Sequence, residues 1–176
     1  QEGRIVISNG TDESALLSVA SIKVPGRHNV ENYMAAIAAT YPIVGAEPIR
    51  ELARTFGGVE HRLEFVREKD GVRFYNSSID SSPTRTTAAL SAFKEKVVVI
   101  LGGYDKQIPF EPLAKPLCEH CKIAVLCGAT AKKIRDAVEN SDEYKADPFE
   151  MIDADNFEEA IHKAAEKASA GDNVVL

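Results

Sequence analysis

The run from Val97 to Leu101 places five apolar residues in succession and then stops at Gly102 and Gly103. A strand with one wet face alternates apolar with polar residues, whereas a strand covered on both faces reads as an unbroken apolar run. The segment from Ile123 to Cys127 has the same character. Helical patterns lie around these runs, at Pro83 to Phe93, near Glu111 to Glu119 and at Thr130 to Glu139. A further helix opens at Asp155-Asn-Phe-Glu158, a capping-box-like start, and sets Phe157, Ala160, Ile161, Ala164, Ala165 and Ala168 on one face. A short apolar stretch at Phe149 to Ile152 precedes that helix, and a last strand begins at Asn173. Strand and helix in alternation predict an α/β domain, a mostly parallel sheet with helices on both faces joined by right-handed crossovers.

The first third of the chain reads differently. Arg4 to Ile7 and Leu16 to Val24 are β-prone and flank the turn-rich Asn9 to Asp12, which predicts a hairpin. Val30, Tyr33, Met34, Ile37, Ala38 and Tyr41 recur at helical spacing after Pro25-Gly26. A second helix is expected from about Pro48 to Phe56, with Ile49, Leu52, Ala53 and Phe56 on one face and Gly57-Gly58 at its end. Leu63 to Glu68 and Val72 to Asn76 then flank Lys69-Asp70-Gly71, a hairpin signal. The change of pattern near Gly57 to Glu60 divides the chain into residues 1–59 and residues 60–176. The chain starts at Gln1 without a methionine and stops in the apolar run Val174 to Leu176, so it is expected to be a piece of a longer protein.

Charge and cysteine content narrow the function. With 21 basic against 27 acidic residues the net charge is −6, and no global positive field exists to hold nucleic acid or an anionic membrane. No apolar run approaches the roughly 20 residues that span a bilayer, and no signal-peptide pattern opens the chain, so a cytoplasmic location is expected. Three cysteines are an odd number and fit reduced thiols better than a disulfide framework. Cys118-Glu-His-Cys121 has the spacing of half a zinc site, but no second pair follows, and no metal ligands are expected.

Ligands of open α/β sheets bind beyond the carboxyl ends of the strands, so the loops there are the places to search. The first, Asn76 to Thr86, runs into a helix with Ser82 at the cap and Pro83 at the first position; it reads as an anion-binding helix start or as a plain capped connection. The second, Gly102-Gly-Tyr-Asp-Lys106, offers close backbone approach and a cation, or is a glycine turn with solvated charges. The third, Cys127 to Thr130, reads as structural. Asn29 and Asn32 share one side of a helical first turn and suit a base or sugar, or serve as caps; Arg62, in Glu60-His-Arg-Leu-Glu64, suits a phosphate or a boundary ion pair. His120 and His162 read as surface residues, and neither a Walker A loop nor Gly-x-Gly-x-x-Gly occurs.

The order of these clusters is more specific than any one of them. Gly26-Arg-His-Asn-Val-Glu-Asn32, Met34-Ala-Ala-Ile-Ala38, Phe56-Gly-Gly-Val-Glu-His-Arg-Leu-Glu64, Asn76-Ser-Ser-Ile-Asp-Ser-Ser-Pro83 and Gly102-Gly-Tyr-Asp-Lys106 together resemble the Mur ligases, especially the members that add D-glutamate. The resemblance runs from about Lys23 to Leu176. It implies the end of a central ATPase domain over residues 1–59 and a Rossmann-like C-terminal domain over residues 60–176. It implies ATP and magnesium as cofactors of the whole enzyme, UDP-MurNAc-L-alanine and D-glutamate as its substrates, and an amide formed through an acyl phosphate. Asn29, Asn32 and Arg62 would contact the nucleotide, Ser81 and Lys106 would hold substrate, and Lys106 would serve catalysis. The family's usual Asn-Asp-Ser-Lys-Ala-Thr-Asn appears here as Asn76-Ser-Ser-Ile-Asp-Ser-Ser82, so its ribose-binding aspartate is Ser77 and its glutamate-binding lysine is Ile79. Arg85 or Lys106 would then supply the missing charge, and the piece alone would be inactive. The alternative is a non-catalytic α/β module that binds a nucleotide or anion at its Gly102-Gly103 loop.

Overall fold

The computed structural model describes residues 3–176; Gln1, and the expectation attached to it, lies outside them. The chain divides into two compact units between Gly58 and Val59.

In the first unit β1 (Arg4–Ser8) and β2 (Glu13–Ser18) form an antiparallel hairpin, followed by α1 (Arg27–Val44) and α2 (Ala46–Thr55). The second strand starts and ends earlier than its apolar content predicts. At Ser18 the hydroxyl accepts the Ala20 N–H at 3.3 Å, and the chain turns into a short 3-10 helix at Val19–Ser21. Ile5, Leu16, Leu17, Tyr33, Ile37, Ile49 and Ala53 form the core. The helical faces are only partly covered: Met34 and Leu52, expected inside, are 52% and 53% exposed.

The second unit begins with β3 (Glu64–Lys69) and β4 (Val72–Asn76), whose turn residues Asp70 and Gly71 take φ of 54° and 76°, the left-handed pair that a two-residue hairpin demands. Then come α3 (Pro83–Leu90), β5 (Val97–Gly102), α4 (Ala114–His120), β6 (Cys121–Cys127), α5 (Ala131–Glu139), α6 (Asp142–Ala146), β7 (Glu150–Ala154), α7 (Phe157–Lys167) and β8 (Asn173–Val175). The sheet order is β3-β4-β8-β5-β6-β7, antiparallel only between β3 and β4. The expected α/β architecture is the one found. Alternate residues of the buried strands enter two cores. Val97, Val99, Ala124 and Leu126 pack with Leu90, Leu117, Ile134 and Val138 of α3, α4 and α5, whereas Val98, Ile100, Ile123 and Val125 pack with Ala160 and Ala164 of α7.

Three local readings are corrected. α3 ends at Leu90, not Phe93, and Phe93 stacks edge-on against Tyr75 with ring centroids 5.1 Å apart. The cap of α7 is Asn156 rather than Asp155: its Oδ1 accepts the Glu159 N–H at 2.9 Å, while Glu159 Oε2 accepts the Asp155 N–H at 2.7 Å. Along α7 only the small residues are buried. Phe157 and Ile161 are substantially exposed, because a helix lying closely on a sheet contacts it through alanine.

Candidate functional site

The carboxyl ends of the parallel strands open into one cavity of about 600 Å³. Its walls come from the loops after β4, β5, β6 and β7, among them Ser81, Tyr104, Lys106, Thr130 and Phe157. Both loops read from the sequence as ligand-suited are here, and so is the third, which was read as structural. The loop after β7 was missed altogether; the same rule would have found it had Glu150–Ala154 been recognised as a strand.

The first loop enters α3 as predicted, with Ser82 at the cap and Pro83 in the first turn. The Ser82 hydroxyl makes no capping bond. Instead the single proton of Thr86 Oγ1 is shared between the carbonyls of Asp80 and Ser82, at 3.2 and 3.1 Å, and draws the loop tight against the helix.

The second loop departs from expectation in the use of its glycines. A Cβ on Gly102, where φ is 147°, would stand 1.7 Å from the Cys127 carbonyl oxygen, so the close approach that Gly102 permits is to the neighbouring strand. The Gly103 N–H donates to that same oxygen at 3.2 Å. Thr130, only 2% exposed, directs Oγ1 to the Gly103 carbonyl at 3.4 Å, so the third loop buttresses the second. Beyond the glycines, Asp105 accepts the Gln107 N–H at 2.8 Å and the ammonium of Lys133. The Lys133 hydrogen bond, then that from Gln107, hold the Asp105 carboxyl below its ordinary range.

This braced turn presents Lys106, whose Nζ donates to Ser81 Oγ at 2.7 Å. Eight other lysines of the unit lie against carboxylates, Lys96, Lys122 and Lys133 among them. Lys106 meets a hydroxyl, so its charge stays available to an anionic ligand.

The remaining predicted residues lie elsewhere. Arg62, part-buried and outside the cavity wall, sits between His61 and Leu63, both at positive φ. Arg85 on α3 and the exposed Ile79 are also outside that wall. In the first unit Asn29 and Asn32 start α1 together: Asn29 Nδ2 donates to the Pro25 carbonyl at 2.6 Å and Asn32 Nδ2 to Asn29 Oδ1 at 3.4 Å. Cys118 and Cys121 are buried in the core beneath α4. Among the described residues no three His, Cys, Asp or Glu side chains converge as metal ligands. Of the carboxylates at or near the cavity, Asp80 is engaged by Ser77 and Asp105 by Lys133, which leaves Asp155 as a single donor. This donor set does not fit a magnesium ion.

Residues 61–176 match the family described as Mur ligase, glutamate ligase domain. The chain belongs to the Mur ligase family. It is 45% identical over its whole length to the UDP-N-acetylmuramoylalanine--D-glutamate ligase of Ruminiclostridium cellulolyticum, of which it spans 38%. It is 51% identical, over 88% of its length, to the ligase of the same name from Clostridium beijerinckii, of which it spans 34%. The Mur ligase fold extends to solved structures of low identity. MurF from Acinetobacter baumannii superposes with a TM-score of 0.69 at 18% identity, over 99% of this chain and 38% of that one. Folylpolyglutamate synthase of Mycobacterium tuberculosis does so at 0.62 and 16% identity, over 86% of this chain and 37% of that one.

Proposed function

We propose that this chain is the amino-acid-binding portion of an ATP-dependent ligase that joins D-glutamate to UDP-MurNAc-L-alanine in cytoplasmic peptidoglycan precursor synthesis. The observation that carries the reading is Lys106, braced on Ser81 at the cavity with no carboxylate against it. A dicarboxylic amino acid needs such a cation, and Ser81 adds a hydroxyl that can turn toward a second acceptor. Relatives bearing the D-glutamate ligase name, at 45% to 51% identity, support the same substrate.

The acceptor carboxylate is activated by ATP as an acyl phosphate, and the amine of D-glutamate attacks it to give the amide, ADP and phosphate. Lys106 holds the incoming amino acid by its carboxylate and stabilises negative charge near the reacting carbonyl. Asn29 and Asn32 lie beside the adenine and Arg62 contacts the nucleotide phosphates. Residues 1–59 are the end of the central ATPase domain and residues 60–176 the C-terminal domain. Magnesium, which the family reading implies, would neutralise phosphate charge; no residue described here is assigned to hold it. The piece alone is inactive.

Phosphate release by the full-length ligase, with ATP, magnesium and UDP-MurNAc-L-alanine, tests the assignment. Release dependent on D-glutamate and not on L-glutamate is expected. Equal release with every amino acid, or none from folded, ATP-binding protein, contradicts it.

A further inference from the structure

Two segments distant in sequence are stitched together at the cavity wall, which Ser77 and Asp80 both line. The Leu63 N–H donates to Ser77 Oγ at 3.0 Å, and that hydroxyl donates its own proton to Asp80 Oδ2 at 2.6 Å. The Ile79 N–H reaches the His61 carbonyl at 3.2 Å, and Asn76 Nδ2 lies 2.9 Å from His61 Nδ1. Ser77 and Leu63 are each 4% exposed, so water does not compete for their bond. Between the stitches stands Arg62, flanked by His61 at φ 63° and Leu63 at φ 47°. Residues with side chains keep that conformation only where the surroundings hold it. Among the described residues Arg62 has no ion pair, so its backbone sets its direction.

The polarity of the relay is fixed. A carboxylate only accepts hydrogen bonds and a serine hydroxyl has a single proton. With that proton committed to Asp80, Ser77 must turn lone pairs toward the Leu63 N–H. The next residue is Ser81, which receives Lys106. One short loop on the cavity wall therefore carries both a substrate contact, at Ser81, and the anchor of Arg62, at Ser77 and Asp80.

We infer that Asp80, acting through Ser77, is a positioning residue for Arg62. The inference rests on the reading of Arg62 as a nucleotide contact.

The test compares Michaelis constants for ATP and D-glutamate in the full-length ligase carrying Asp80→Ala, Asp80→Asn, Ser77→Ala, Ser77→Ala with Asp80→Ala, or Arg62→Ala. Asp80→Ala should raise KM for ATP about tenfold, the scale of one lost hydrogen bond to a charged group, with KM for D-glutamate within about twofold. Asp80→Asn keeps an accepting oxygen and should recover most of the loss. Ser77→Ala should match Asp80→Ala, and the double variant should be no worse than either, because both remove one relay. If Asp80→Ala does not fold, Ser77→Ala carries the same comparison. Unchanged KM for ATP in Asp80→Ala and Ser77→Ala, with a large rise in Arg62→Ala, overturns the relay but leaves Arg62 in place. No rise in Arg62→Ala removes both. Equal losses in Asp80→Ala and Asp80→Asn, with both Michaelis constants rising together, mark a merely structural role and also overturn the proposal.

Discussion

The two ends of the parallel sheet differ in what their lysines meet. At the amino ends of the strands the ions are closed against one another. Lys122, the second residue of β6, bonds the carboxylate of Asp172, which also accepts the Ser169 N–H at 2.6 Å just before β8. Lys96, before β5, pairs with Asp147, before β7, at 3.3 Å. At the carboxyl ends the loops present hydroxyls, glycine backbone and a lysine whose nearest partner is Ser81. The carboxyl end has closed pairs too, Lys133 with Asp105 and Arg135 with Asp153, but it leaves Lys106 facing a hydroxyl rather than a carboxylate. The contrast between Lys122 and Lys106 therefore separates a side chain that ties the domain together from one whose loss should leave it folded.

The largest expected effect belongs to Gly102, where the open end depends on the backbone itself. Gly102→Ala would drive a methyl into the Cys127 carbonyl and should cost more than about 3 kcal/mol in urea unfolding. Gly103→Ala, with φ 113° but open space around the new atom, should cost only about 1–2 kcal/mol. The reverse order would mean that the β5 and β6 loops are not in contact.

Next comes the closed end. Lys122→Ala leaves the largely buried Asp172 carboxylate without its cation and should lower unfolding free energy by about 1–3 kcal/mol. Lys106→Ala should change it by less than about 0.5 kcal/mol. Acid sharpens this contrast. Burial alone would raise the Asp172 carboxyl, but the hydrogen bonds from Lys122 and Ser169 outweigh it and hold the group below its ordinary range. A depressed carboxyl stabilises the fold above its unfolded value, about 3.9, and the contribution is lost as pH falls through the lower folded value. The stability gap between native protein and Lys122→Ala should therefore be full at pH 7 and narrow below about pH 4.

The smallest effect concerns the thiols. Burial raises all three, Cys121 most of all, and the thiolate is the reactive form. Cys127, on the cavity wall, should be alkylated before Cys121, which has no exposed surface at the start of β6. Alkylation of Cys121 first in native protein would place the opening at the wrong end.

Much of this arrangement was legible beforehand. The unbroken apolar runs at Val97 and Ile123 read as strands covered on both faces, and the rule about carboxyl ends pointed to the Asn76 to Thr86 loop and to Lys106; Ser81 itself came from the resemblance to the Mur ligases. What escaped depends on partners that sequence spacing does not name. Glu150–Ala154 mixes Glu150 and Asp153 with Met151 and Ile152, as an edge strand does, so its loop went unread. Gly102 was assigned to a ligand because the Cys127 carbonyl beside it belongs to another strand. The Ser77 to Asp80 relay was invisible for the same reason, since its third member, Leu63, lies 14 residues away.

The most direct measurement is steady-state turnover with D-glutamate by the full-length ligase carrying either Lys106→Ala or Lys122→Ala, assayed well below the melting temperature of both. Lys106→Ala should lose at least tenfold in kcat/KM, about 1.4 kcal/mol of transition-state stabilisation, while Lys122→Ala keeps native turnover. Native turnover in Lys106→Ala at all D-glutamate concentrations would contradict the assignment of the carboxyl end as the amino-acid site.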